Sequence, residues 1–476
     1  MKKSTKVNVI YNLIYQLLTI LLPLVTTPYI SRVLGADSVG IYGYTLAISM
    51  YFILFGSLGI SMYGQREIAK NQDNAKKYSV IFWELCIIRF ITIFIAIIIY
   101  LALFCLNNQY SLYYIILILY ILASAFDINW YFQGIEDFSK TVIRNIIVKS
   151  LGLVLTFVFV KTANDLWIYM LIFAATELLG NLSLWFYVPK YIEKPKRKEL
   201  NLKKHFKLIM LLLVPQIATQ IYTVLDKTMV GLITKDMSEV GFYEQSQKIA
   251  RAALVIVNAM QTVMNSKVAN AYIKKNNKEL VKNLKINFDY VWFLGIPLTI
   301  GMAIVSSNLV PWYFGNGFDR VENILKFISP IIIIIGLNGV TGIVYLIQTE
   351  RQNIYTRSVI FGALINVVAN FILINLYGAV GAAIASVIAE IAIFIYHFKY
   401  IKNVYKIKDI FKQSSKCLFA GLVMALALLF FINRLTPSII HTIFLVGIGF
   451  ITYIGILFIV KYDYICNIIN KRKKLR

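Results

Sequence analysis

A small set of ionisable side chains falls inside stretches of this sequence that are otherwise apolar. The cations are Arg89, Lys149, Lys227, Lys248 and Arg251, and the carboxylates are Asp127, Glu177, Asp226 and Glu390. Cations placed this way suit an anionic ligand: guanidinium grips a phosphate as a fork, and ammonium attracts it as a point charge. The carboxylates can pair with those cations or carry a coupling ion. In YTVLDKTMVGLI (222–233) the charges of Asp226 and Lys227 are adjacent. Neighbours on a helix do not face each other, so Asp226 is expected to turn away from Lys227, toward Lys248 or Arg251.

Uncharged polar residues recur at helical spacing around these charges. Asn12, Gln16, Thr19, Pro23 and Thr27 share one face, as do Gln216, Gln220, Thr223 and Lys227. A third face carries Glu244, Lys248, Arg251, Asn258 and Thr262. Hydrocarbon offers such groups no partner, so these faces must meet protein or water. Hydrogen bonding between helices, with an ion pair at Asp226, is the plain structural alternative. Equivalent stripes on several helices point to a shared cavity, and charge within a span points to a pathway.

The elements that hold these residues are membrane helices. The chain has 476 residues, 59% hydrophobic and only 15% charged, with a mean hydropathy of +0.70. Apolar runs such as 86–106 and 439–460 exceed the ~18 residues that mark a span. The pattern predicts an all-α polytopic membrane protein with about fourteen transmembrane helices. The formal net charge of +25 falls overwhelmingly on alternate connections, which places both termini in the cytoplasm and argues against nucleic acid. Cys86, Cys105, Cys417 and Cys466 have neither disulfide nor zinc spacing. There is no GxxxxGK[ST] loop and no acid–base or metal cluster, so neither a cofactor nor enzymatic activity is expected.

The two halves resemble each other. VGIY (39–42) recurs as VGFY (240–243), and Arg144 with Glu177 recurs as Arg357 with Glu390 at the same separation. Six spans per half relate the halves by an axis along the membrane normal, an arrangement transporters use to build a central path. The expected domains are a six-helix lobe over 1–188, a basic cytoplasmic linker over 189–207 and a second lobe over 208–400. Two extra helices and a basic tail occupy 401–476.

TTPYISRVLGADSVGIYGY (26–44), GISMYGQREIAK (59–70), VLDKTMVG (224–231), VGFYEQSQKIAR (240–251) and NLYGAVGAAIASVIAE (375–390) together resemble the Wzx-type polysaccharide flippases. These belong to the multidrug/oligosaccharidyl-lipid/polysaccharide exporter superfamily. The resemblance implies two lobes around a central cavity, working by alternating access in the cytoplasmic membrane. The implied cargo is a polyprenyl-pyrophosphate-linked oligosaccharide, moved to the outer leaflet for capsule or another surface polysaccharide. The expected partners are membrane lipids, H+ or Na+ as coupling ion, and a polysaccharide polymerase. Arg32, in the RVLG stretch, joins the cations as a candidate substrate contact. The alternatives are a cation-coupled multidrug exporter of the same superfamily and a membrane-integral polymerase or glycosyltransferase.

Overall fold

The computed structural model describes the backbone of residues 5–402, 404–405, 410–411 and 414–462. The side chains of 5–21, 197, 211–212, 214–216 and 218–223 lie outside the described set. Among the described residues every regular element is helical. This is the expected result where hydrocarbon leaves backbone groups to satisfy one another.

Nine helices lead through the first part of the chain. They are α1 (Thr5–Ser57), α2 (Ile60–Lys70), α3 (Ala75–Tyr100), α4 (Ser111–Ala125), α5 (Asn129–Gly134), α6 (Phe138–Phe159), α7 (Leu166–Trp185), α8 (Val188–Tyr191) and α9 (Lys203–Thr234). Then follow α10 (Met237–Ile273), α11 (Asn277–Phe314), α12 (Asp319–Ile328) and α13 (Ile331–Asn338), which runs on as a π-helical stretch, Gly339–Ile347. The last are α14 (Gln352–Tyr377), α15 (Ala379–Ile401), α16 (Ser414–Ile432) and α17 (Ile439–Ile459).

Among the described residues, eleven helical stretches are long and apolar enough to cross a membrane. Gly35, at φ 75°, breaks α1 into two spans. The polar stripes lower the hydropathy of α9 and α10, but at 32 and 37 residues both exceed the ~20 needed to cross. With these three the number of spans comes to the expected fourteen. Phe94, Leu103, Phe371, Leu426 and Ile451 stand exposed on the helix surfaces, as lipid-facing residues must.

The chain forms two compact units, Met1–Thr228 and Met229–Arg476. In the first unit, Phe82, Trp130, Tyr131 and Phe132 centre an aromatic core that draws α3 and α5 together. The basic connection after α8 lies along α3 as a strap. The Tyr78 hydroxyl donates to the Tyr191 carbonyl (3.0 Å), Trp83 Nε1 donates to the Glu193 carbonyl (3.2 Å), and Ser79 Oγ accepts from the Glu193 N–H (3.1 Å). Glu199 meets Lys76 at 3.1 Å, and the Lys196 N–H followed by that ammonium holds its carboxyl below the usual carboxylate range.

The strap ends at Glu84, a fully buried carboxylate on α3. Its oxygens accept from the Asn201 N–H (2.6 Å), from Lys204 Nζ (2.7 Å at the nearer oxygen) and from His205 Nε2 (2.7 Å). The other ring nitrogen of His205 meets the Tyr63 hydroxyl at 2.8 Å. With Nε2 protonated, Tyr63 donates to Nδ1, so this buried chain closes with every group satisfied.

Candidate functional site

Within the spans of the first unit, charge gathers between α6 and α7. Arg144 on α6 reaches α7, where its Nη2 donates to Glu177 Oε2 (3.2 Å), to the Glu177 carbonyl (3.2 Å) and to Asn181 Oδ1 (2.8 Å). Its Nη1 donates to Asn145 Oδ1. Asn181 is held in turn by the Ala123 carbonyl at 2.7 Å. Gly180 lets the two helices approach, because a Cβ there would lie 2.4 Å from Val148 and 2.7 Å from Arg144 Nε.

Lys149 stands beside this pair. With Glu177 it lines a pocket of about 200 Å³, closed by Pro23 and Thr26 of α1 and by Thr156 and Thr176. Arg144, which is not part of the lining, pairs with Glu177, and the Lys149 ammonium is the cation that the lining presents among mostly apolar residues. That is an electrostatic environment for an acidic group. Pro23 belongs to the polar stripe anticipated on the first span, so that stripe and Lys149 share a pocket. The stripe members Asn12, Gln16 and Thr19 lie outside the residues whose side chains are described, as do Gln216, Gln220 and Thr223.

The other candidates are spread through the units. Arg89 is 3% exposed; its Nη2 donates to Ser61 Oγ at 2.9 Å and its Nη1 to the Asp127 carbonyl. The Asp127 carboxylate lies 4.0 Å away and accepts from the N–H and side chain of Asn129 (3.0 and 2.6 Å). These two residues therefore hold the break between α4 and α5. Asp226 is buried and Lys227 half-buried on α9, where the Thr228 hydroxyl meets Tyr51 of α1 at 3.3 Å. Lys248 pairs with Glu244, one turn earlier on α10, at 3.5 Å. Arg251 and Arg32 are exposed, and Asn258 Oδ1 accepts from Gln261 (2.8 Å). Glu390, buried on α15, accepts from Asn338 Nδ2 of α13 at 2.6 Å.

Three buried groups escape sequence reasoning. Glu84 has no cation three or four residues away in its own helix, and its partners come from the strap. Glu239 accepts from the Ala379 N–H (2.8 Å) and pairs with Arg320. It therefore caps α15 and ties the residue just before VGFYEQSQKIAR (240–251) to NLYGAVGAAIASVIAE (375–390). His397 is held between two hydroxyls. A lone histidine in an apolar run carries no pattern.

The second unit also holds an apolar groove of about 520 Å³ between α10, α11, α16 and α17, lined by Ala253, Pro297, Met302, Met424, Leu445 and Phe450 among others.

Comparison with known proteins places this architecture. Residues 6–264, more than half of the chain, match the family described as "Polysaccharide biosynthesis protein". A putative O-antigen transporter of Escherichia coli K12 is 25% identical over 407 residues, spanning 84% of this chain and 98% of that protein. A probable low-salt glycan biosynthesis flippase of Haloferax volcanii is 22% identical over 240 residues, 49% of each chain. A solved structure of the lipid II flippase MurJ, in an inward closed conformation, superposes with a TM-score of 0.70 at 17% identity. It covers 96% of this chain and all of that one, which establishes a common fold.

Proposed function

We infer the function from the premise that this chain belongs to the family of polysaccharide biosynthesis proteins. It is a multi-pass membrane flippase of the multidrug/oligosaccharidyl-lipid/polysaccharide exporter superfamily and carries a lipid-linked oligosaccharide. The finer reading is that it moves a polyprenyl-pyrophosphate-linked repeat unit from the cytoplasmic to the outer leaflet by alternating access, for capsule or another surface polysaccharide. Both termini then lie in the cytoplasm, as the lysine and arginine asymmetry requires.

The observation that carries this reading is the Lys149 pocket. Its lining ammonium, beside Glu177 and Pro23 of α1, suits a pyrophosphate bearing sugars. The apolar groove of the second unit has the character that a prenyl chain requires. Relatives named as an O-antigen transporter and a glycan flippase support a glycan cargo.

Deleting the gene should make polyprenyl-linked repeat units accumulate on the inner leaflet, seen by their resistance to an impermeant periodate probe. Lys149→Met should reproduce that accumulation at normal protein level, and Lys149→Arg should restore part of the export. Losing a charge-assisted bond of ~1.5–3 kcal/mol weakens binding by about 10- to 100-fold. Wild-type export by Lys149→Met would remove the pocket from the pathway.

A further inference from the structure

His397 of α15 is 1% exposed and is held between two hydroxyls from different elements. Its Nδ1 lies 2.8 Å from Thr341 Oγ1, in the π-helical stretch, and its Nε2 lies 2.6 Å from Ser358 Oγ on α14. Both hydroxyls also face backbone carbonyls. Ser358 donates to Tyr355 O at 2.7 Å, and Thr341 donates to Leu337 O at 3.1 Å or Asn338 O at 3.3 Å. The groups around the ring come from every neighbouring element. Tyr355 of α14 stacks on it at 6.0 Å, Gly342 of the π-helical stretch lies against its Cε1, and Glu390, two turns earlier on α15, is taken by Asn338 of α13. No charged group among the described residues is found in contact with the ring.

Each hydroxyl owns one hydrogen, and a neutral imidazole owns one N–H. If both hydroxyls donate to carbonyls, both ring nitrogens must donate, and the ring is an imidazolium. If the ring is neutral, one hydroxyl must turn from its carbonyl to the unprotonated nitrogen. The Ser358 bond to its carbonyl is the shorter, so Thr341 is the one that turns. The carbonyls it releases, Leu337 and Asn338, end α13 where the π-helical stretch begins at Gly339. Mid-helix π-turns are recurrent sites of functional rearrangement.

We propose that His397 is a proton-binding site whose occupancy is read by Thr341 at the junction between α13 and the π-helical stretch. This deepens the transport reading above, on which its role in coupling rests, by naming the proton as the coupling ion. Proton uptake places Nδ1–H against Thr341 Oγ1 and sends the Thr341 hydrogen to Leu337 O. Release returns that hydrogen to Nδ1 and loosens the junction.

The test uses the full-length protein in lipid nanodiscs, with amide hydrogen exchange over 337–347 followed over a range that reaches about three pH units below the ordinary histidine value of about 6.5 and corrected for intrinsic rates. The wild type should show one titration step at the junction. His397→Gln and Thr341→Val should both lose it, while Thr341→Ser keeps it. Should His397→Gln fail to fold, Thr341→Val carries the test alone, because it leaves the histidine in place. A flat wild-type profile, or an unchanged step in Thr341→Val, overturns the proposal. In proteoliposomes carrying a fluorescent polyprenyl-pyrophosphate disaccharide, a pH gradient should accelerate wild-type flipping several-fold and leave Thr341→Val unaffected. An exchange step without any flipping would sink the transport reading and leave the proton site standing. Flipping without an exchange step would do the reverse.

Discussion

Glu84 shows what a single side chain decides in this molecule. Its carboxylate is fully buried and gathers Lys204, His205 and the Asn201 N–H, so the strap after α8 is fastened to α3 by one group. Removing one partner of a buried ion pair costs about 3–5 kcal/mol, because the other charge stays buried. Lys204 is 44% exposed, which places the loss at the lower end of that range. Glu84→Gln should therefore lower the apparent unfolding temperature in detergent by several degrees, and a protease should cut the 192–202 segment faster. An unchanged melting profile would show that the strap is held by its backbone bonds alone. Arg144 differs in kind, since its guanidinium is shared between Glu177, Asn181 and Asn145 and so fixes the carboxylate that faces Lys149.

Among the elements, the turn between α14 and α15 is the most demanding. Gly378 has φ 61°, and a Cβ there would come within 2.5 Å of Glu239 Oε2. That oxygen already accepts the first N–H of α15. Alanine at φ 61° and ψ −135° costs about 1–3 kcal/mol by backbone strain alone. Gly317 offers the control, with φ 83° and nothing within 4 Å of its added Cβ. Gly378→Ala should destabilise the protein by more than Gly317→Ala, by about 1 kcal/mol or more given the displaced cap. Equal melting temperatures for the two variants would show that the Glu239 cap has no energetic weight.

For the molecule as a whole, exposed apolar helix faces define lipid contact, and each unit contributes its own recess. The pocket at Lys149 is charged, whereas the groove in the second unit is apolar. On the proposed reading, a hydrocarbon tail suits the apolar kind. Ala253→Trp should fill the groove; excluding two or three methylenes at ~0.8 kcal/mol each weakens a long-chain lipid about 30-fold. Flipping of a long-chain glycolipid should fall by about that factor in proteoliposomes, while a short-chain analogue moves at the wild-type rate. Equal loss for both chain lengths would detach the groove from the tail.

Hydropathy and the distribution of lysine and arginine already mark this chain as a bundle of membrane helices, because both are local quantities that a bilayer reads one segment at a time. The sequence also marks the membrane-embedded charges, since polar residues in apolar runs stand out wherever they fall. Which charge meets which partner follows from how the helices pack. Arg144 and Arg89 sit in similar apolar runs, yet one flanks a pocket and the other braces a helix break with Asp127. Arg357 and Glu390 repeat the spacing of Arg144 and Glu177, yet Arg357 is exposed and Glu390 is met by Asn338. An ion pair or a hydrogen bond depends on distances of a few ångströms between helices far apart in the chain, and helical periodicity fixes only the face from which a side chain starts.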